Sequence, residues 1–286
     1  MRNLNENNIT DAVVAMADAC GDGRIKQTVN SLVRHLHAFI REIEPTEQEW
    51  EQAIAFLTET GQKCDDVRQE YILLSDVLGV TMLVDAINHR SATDTTETTV
   101  LGPFYVEGPP ETPMGEAIDW NVEGEPFYVE GRITSDNGQP LADVLVDVWQ
   151  SDSEGFYDVQ KEMEGASLRA RFRTGPDGRY AFWTVTPSPY PIPTDGPVGQ
   201  LLERLDRHPY RPAHVHFMLH AKNHQKLVTQ IFAEGDPYID SDAVFGVKDS
   251  LVKSYALNEP GKAPDGKVLD RPWRHLVFDF GMRRMG

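Results

Sequence analysis

Arg211-Pro212-Ala213-His214-Val215-His216-Phe217 runs into the apolar stretch that ends at Leu219 and reads as a β-strand. In a strand, residues two apart point to the same face. His214 and His216 therefore present both imidazoles to one point in space, the arrangement a transition metal needs. The plainer alternative is two solvent-facing histidines on one strand.

Outward from this strand, other short runs rich in valine and aromatic residues recur after Val100. They are Pro126 to Ile133, Val144 to Trp149, Ala170 to Arg173, Tyr180 to Val185, Val228 to Phe232 and Leu276 to Phe280, punctuated by Asn137-Gly138 and Asp177-Gly178 turns. The pattern predicts a mainly β chain, an antiparallel sandwich or barrel. Thr186 to Pro212 carries seven prolines and little periodicity, and reads as a long ordered loop or the wall of a site.

The first ninety or so residues follow a different period. Leu32, Val33, Leu36, Phe39, Ile40 and Ile43 form one apolar stripe closed by Pro45, which predicts a helix. Thr46 and Glu49 form a capping box for a second helix through Trp50, Ile54 and Leu57, with Gly61 as its stop. A third helix is expected from about Asp66 to Ile87, apolar at Val67, Tyr71, Leu74, Leu78 and Met82 and so covered on several sides. The expected organisation is a helical dimerisation region over 1–100 and a β-sandwich catalytic domain over 101–286.

Composition narrows the function. A net charge of −18 and a pI near 4.8 repel phosphate backbones and anionic lipid, so nucleic acid is not an expected partner. The most apolar stretch, Tyr71 to Ile87, is interrupted by Ser75, Asp76 and Asp85, so no membrane insertion is expected. The polar N-terminus lacks an apolar leader core, and the expected location is cytoplasmic. Two cysteines, Cys20 and Cys64, are too few for a disulfide framework or a Cys-x-x-Cys zinc site.

No carboxylate stands in the local patterns that complete common His-x-His sites, so further ligands must come from elsewhere in the chain. A neutral phenol is a poor ligand unless the metal is acidic enough to deprotonate it, and a ferric ion is such a metal. Tyr157 lies in Gly155-Phe156-Tyr157-Asp158, and Tyr190 is held between Pro189 and Pro191. Taken singly, each could be a tyrosine half-buried against a loop.

With these residues, the sequence resembles the intradiol ring-cleavage dioxygenases, which act on catechol, chlorocatechol and hydroxyquinol. The likeness spans nearly the whole chain: a helical N-terminal part, Leu101-Gly102-Pro103-Phe104-Tyr105, Val146-Asp147-Val148-Trp149-Gln150, Gly155-Phe156-Tyr157, Tyr190-Pro191, Arg211 to His216 and Thr229-Gln230-Ile231-Phe232. The resemblance implies a non-haem Fe(3+) centre on Tyr157, Tyr190, His214 and His216, with Tyr190 as the ligand that leaves when substrate binds. It implies Arg211 and Gln230 as substrate-facing polar residues, and a small aromatic diol or triol and O2 as the reactants. It also implies a homodimer whose helical parts enclose phospholipid tails.

Within the family the likeness is greatest to the branch that cleaves hydroxyquinol, through Pro191 to Leu202 and Asp240 to Lys248. That branch implies a substrate pocket on Leu73, Asp76, Val100, Leu101, Gly102, Pro191, Ile192, Pro193 and Val244. Catechol or chlorocatechol cleavage at the same site is the enzymatic alternative. A β-sandwich binding module using Trp149, Tyr157 and Tyr190 as a ligand surface is the non-enzymatic one.

Overall fold

The computed structural model describes residues 2–66, 68–90, 95–118, 122–161 and 166–285, so Val67 of the expected third helix lies outside the described residues. The helices are α1 (Ile9–Ala15), α2 (Gly23–Ile43), α3 (Glu47–Gln62), α4 (Glu70–Val77), α5 (Val80–Asn88) and α6 (Pro197–Arg204). Two compact units emerge, Met1–Glu59 and Thr60–Gly286.

In the first unit, α2 starts earlier than its apolar stripe suggested, because Asp22 caps it by accepting from the Arg24 and Ile25 amides at 2.8 and 3.0 Å. Arg41 ties α2 to the segment before α1, donating to the Glu6 carbonyl at 2.7 Å. The Thr46–Glu49 capping box opens α3 as expected, with Glu49 accepting from the Thr46 amide at 2.8 Å. Gly61 does not stop α3, which runs through it to Gln62.

In the second unit, the expected third helix is two helices. Gly79 adopts φ +72°, a left-handed conformation that ends the α4 ladder and turns the chain into α5. With no proline at the break, the continuous apolar run concealed it.

The strands are β1 (Pro126–Ser135), β2 (Leu145–Gln150), β3 (Arg169–Arg173), β4 (Arg179–Val185), β5 (Tyr190–Pro191), β6 (Tyr210–Arg211), β7 (His214–His220), β8 (Leu227–Ala233), β9 (Val252–Lys253), β10 (Ala256–Asn258), β11 (Gly261–Lys262), β12 (Val268–Leu269), β13 (Trp273–Val277) and β14 (Phe280–Met282). One sheet runs β10-β13-β1-β14 with β4 on the other edge of β1; the second runs β3-β2-β7-β8-β9. The sheets share one core, where Phe172 of β3 stacks on Phe182 of β4 at 5.4 Å and Phe217 of β7 meets Phe280 of β14 at 4.8 Å. This is the expected sandwich, but it is not wholly antiparallel: β1 pairs in parallel with β13 and β14, and β8 with β9. Alternation shows which face a strand buries and is silent about its neighbour's direction, which long connections decide here.

The proline-rich stretch is more ordered than a loop. It contains α6, started by Pro197 at its first position, and the β5–β6 pair that sets Tyr190 opposite Arg211. Among the described residues no helix is long and apolar enough to cross a membrane, and both cysteines are free.

Candidate metal centre and active site

Strand register builds the site. His216 lies opposite Trp149 of β2 and Gln230 of β8, and Trp149 lies opposite Arg169 of β3, so these four residues form one row across the sheet. Val215, Phe217 and Leu219 fill the core on the other face.

The row anchors the loop that delivers Tyr157. Arg169 forms a buried ion pair with Asp158, and the Tyr157 amide donates to Gln160 Oε1 at 2.9 Å. Phe104 stacks on the Tyr157 ring at 4.4 Å. Gly155 has φ +86°, and a Cβ there would stand 3.0 Å from both the Pro189 carbonyl and Tyr190 Cβ, so only glycine lets the two tyrosine segments approach.

Three donor atoms converge. His214 Nε2 and His216 Nε2 are 3.0 Å apart, and Tyr157 Oη lies 3.0 Å from His216 Nε2 and 3.4 Å from His214 Nε2. The Tyr190 ring packs edge-on against Tyr157 at 5.2 Å and sits 5.6 Å from the His214 ring. All four side chains are buried.

The electrostatics suit a cation. Burial, then the charge of Arg211, hold the His214 pKa down to about 3, and burial and His214 hold His216 well below the usual histidine range. Both imidazoles are thus neutral. His214 Nδ1–H donates to the Pro212 carbonyl at 2.7 Å, which leaves Nε2 a bare lone pair facing the other ring. His216 is fixed by stacking on Trp149 at 4.5 Å and by Gly102, where a Cβ would come within 3.2 Å of His216 Cε1. Burial raises the Tyr157 pKa well above normal, so its phenol ionises only beside a strong electrophile. Two neutral imidazoles and two buried phenols fit a hard, acidic metal ion; among the described residues no group of three His, Cys, Asp or Glu offers a competing site.

Arg211 is buried against His214, with Nη1 at 3.4 Å from Nε2. It donates to Gln230 Oε1 at 2.8 Å, and Gln230 donates to the Val100 carbonyl at 2.6 Å.

A cavity of about 700 Å³ is lined by Leu73, Asp76, Phe104, Pro191, Ile192 and Pro193 among others. Five of the nine expected pocket residues are thus in its wall. Val100 and Val244 lie instead in the buried apolar cluster with Leu73 and Ile192, Gly102 backs His216, and Leu101 is exposed. Burial raises the Asp76 pKa, opposed by a hydrogen bond from Thr81 and by the charge of Arg211. Sequence reasoning missed Asp242, Thr81, Phe104 and the Arg169–Asp158 pair. Asp242 and Phe104 stood inside quoted motifs, but only their contacts give them roles.

Two buried histidines and two buried tyrosines, brought together on the outer face of a β-sandwich beside a cavity walled in part by their sequence neighbours Phe156 and Pro191, form a donor set that fits a non-haem metal enzyme. Comparison with known proteins makes this specific. Residues 100–283 match the family model described as Dioxygenase, and residues 22–96 match Catechol dioxygenase N terminus. The chain belongs to the intradiol ring-cleavage dioxygenases, a family of iron-dependent enzymes. It is 52% identical to hydroxyquinol 1,2-dioxygenase of Rhizobium sp. (strain MTP-10005), covering 98% of this chain and 96% of that one. It is 49% identical to hydroxyquinol 1,2-dioxygenase of Nocardioides simplex, over 96% and 94%. The solved structure of hydroxyquinol 1,2-dioxygenase from Pseudomonas putida DLL-E4 superposes with a TM-score of 0.92 at 48% identity, over 98% and 99%.

Proposed function

We propose that the chain cleaves hydroxyquinol, benzene-1,2,4-triol, with O2 between its two adjacent hydroxylated carbons, giving 3-hydroxy-cis,cis-muconate, the tautomer of maleylacetate, in cytoplasmic breakdown of aromatic compounds. The observation that carries the substrate is Asp76, a buried carboxylate in the cavity wall suited to accept from a third ring hydroxyl that catechol lacks. The names of the relatives with about half their residues in common support the same reading.

Fe(3+) would be held by Tyr157, Tyr190, His214 and His216, and would supply the Lewis acidity that keeps a diol dianionic and reactive toward O2. The histidines would contribute neutral lone pairs. Tyr190, with its backbone fixed by flanking prolines and by pairing to Arg211, would be the base that takes a substrate hydroxyl proton. Arg211 offers positive charge where negative charge develops on the ring, and Gln230 holds it there. Phe104, Ile192 and Leu73 orient the ring and keep water away.

We extend the proposal to assembly. α2 buries none of its side chains within the chain, and Ile25, Val29, Leu32, Leu36, Phe39 and Ile43 form an exposed seam repeating every three or four residues. Such a seam supports a homodimer, in which phospholipid tails would fit an apolar helical interface.

The test is kcat/KM of the iron-loaded protein on hydroxyquinol, catechol and 4-chlorocatechol, with the product identified. Hydroxyquinol is expected to be preferred; faster turnover of either catechol overturns the substrate assignment. Tyrosinate-to-iron charge transfer should colour the protein red to purple, whereas a colourless, iron-free protein would restore the binding-module reading.

A further inference from the structure

A guanidinium carries five N–H donors in one plane. In Arg211, Nε–H donates to Asp242 Oδ1 at 3.0 Å, and Nη2 donates to Asp242 Oδ2 at 3.2 Å and to Gln230 Oε1 at 2.8 Å. Three of the five donors are thereby used. The remaining two are on Nη1, the atom 3.4 Å from His214 Nε2. Arg211 and Asp242 are each 2% exposed in their side chains, so water cannot replace either partner.

Asp242 is itself held. Its carboxylate accepts the Gly246 amide at 2.9 Å and the Val244 amide at 3.3 Å, so the turn carrying Val244 fixes its position. At Gly246 a Cβ would stand 2.9 Å from Arg211 Nη2, so the bare backbone closes one side of the guanidinium. From the Val100 carbonyl through Gln230, Arg211 and Asp242 to the Gly246 amide, every link is a hydrogen bond between buried groups.

The geometry points to Asp242 as a positioning residue that locks Arg211 in one orientation and leaves only the Nη1 edge to face the reacting ring. This inference rests on the reading of Tyr157, Tyr190, His214 and His216 as the metal centre. Neither Asp242 nor Arg211 is among the residues that line the cavity; Asp242 bonds the Nε and Nη2 edge of the guanidinium while Nη1 is the atom near His214 Nε2, so the effect of Asp242 on the centre passes through Arg211. It also balances a buried cation beside the metal ligands, which would otherwise oppose a bound metal ion.

The test is a double-mutant cycle on the iron-loaded enzyme with Asp242→Asn, Arg211→Gln and both. Asp242→Asn should lower kcat by about 10- to 100-fold on hydroxyquinol and catechol alike, the scale of a lost charge-assisted fork. Iron content, and substrate affinity read anaerobically from the visible absorbance, should stay within about 2-fold of the parent. In the Arg211→Gln background the same substitution should cost nothing further. Equal losses in both backgrounds, or weaker anaerobic binding with kcat unchanged, would overturn the assignment. Where Asp242→Asn does not accumulate as folded, iron-loaded protein, Asp242→Glu enters the same cycle, since it keeps the charge but moves the carboxylate by one methylene. If Tyr157→Phe and His214→Ala keep normal iron and colour, the metal reading fails; if they lose it while the cycle is additive, only the role of Asp242 fails.

Discussion

Thr81 Oγ1 donates to Asp76 Oδ1 at 2.5 Å, although Asp76 belongs to α4 and Thr81 to α5. The two meet because the left-handed turn at Gly79 folds α5 back across the end of α4. One carboxylate oxygen is thus held within the protein, which orients the group in the cavity wall.

Asp76→Ala should lower the ratio of kcat/KM for hydroxyquinol over catechol by roughly 10- to 150-fold, the equivalent of a buried charge-assisted bond worth about 1.5–3 kcal/mol. Thr81→Val keeps the shape and removes the donor, and should shift the ratio in the same direction by a smaller factor of about 3–10. Iron content should not change in either variant. Equal losses on both substrates would make Asp76 a structural residue.

In the proposed ligand set Tyr157→Phe and Tyr190→Phe would each remove an anionic ligand, so the visible band should move and turnover fall; His214→Ala and His216→Ala should reduce bound iron. Metal analysis and absorbance spectra check all four. Normal iron, colour and activity throughout would refute the ligand set.

At the rim of the cavity, Asp195 bonds to Lys63 at 2.9 Å and Arg68 at 2.8 Å, and these bonds lower its pKa to about 2. A carboxyl held below its ordinary value of 3.8 stabilises the fold above that value and loses the contribution as pH falls toward about 2. Because Asp195 is largely exposed, solvent screening limits the effect to at most about 1 kcal/mol. Denaturation of Asp195→Asn should show a small deficit that is constant from about pH 7 to 5, narrows below about pH 4 and shrinks in high salt. A deficit that persists unchanged in acid would contradict the ion-pair origin.

Sedimentation at micromolar concentration should give a mass near twice 32.2 kDa. Leu36→Glu or Phe39→Glu, placed in the exposed seam of α2, should shift the protein toward the single-chain mass while leaving helix content intact. A parent protein that sediments at 32.2 kDa would end the dimer proposal.

Much of the candidate site was legible because its chemistry is written locally. His214 and His216 are two apart on a strand, so period-two geometry alone sends both imidazoles to one side. Prolines on either side of Tyr190 announce a constrained backbone before any contact is known. The capping box at Thr46 likewise needs only neighbours in sequence.

Other features depend on residues far apart in the chain. A glycine within an apolar run does not reveal its φ, so the break at Gly79, and with it the meeting of Thr81 and Asp76, appeared only in three dimensions. The parallel pairing of β1 with β13 and β14 joins segments more than a hundred residues apart, and no local pattern encodes it. By itself the sequence determined which residue types could bind a hard metal ion and which segments would be the longer strands of the sandwich, because side-chain chemistry and backbone period are properties of short stretches. Only the tertiary structure decided that Tyr157 would reach the histidines and that Asp242 would grip Arg211, because desolvation and convergence arise when separate segments bury the same few atoms together.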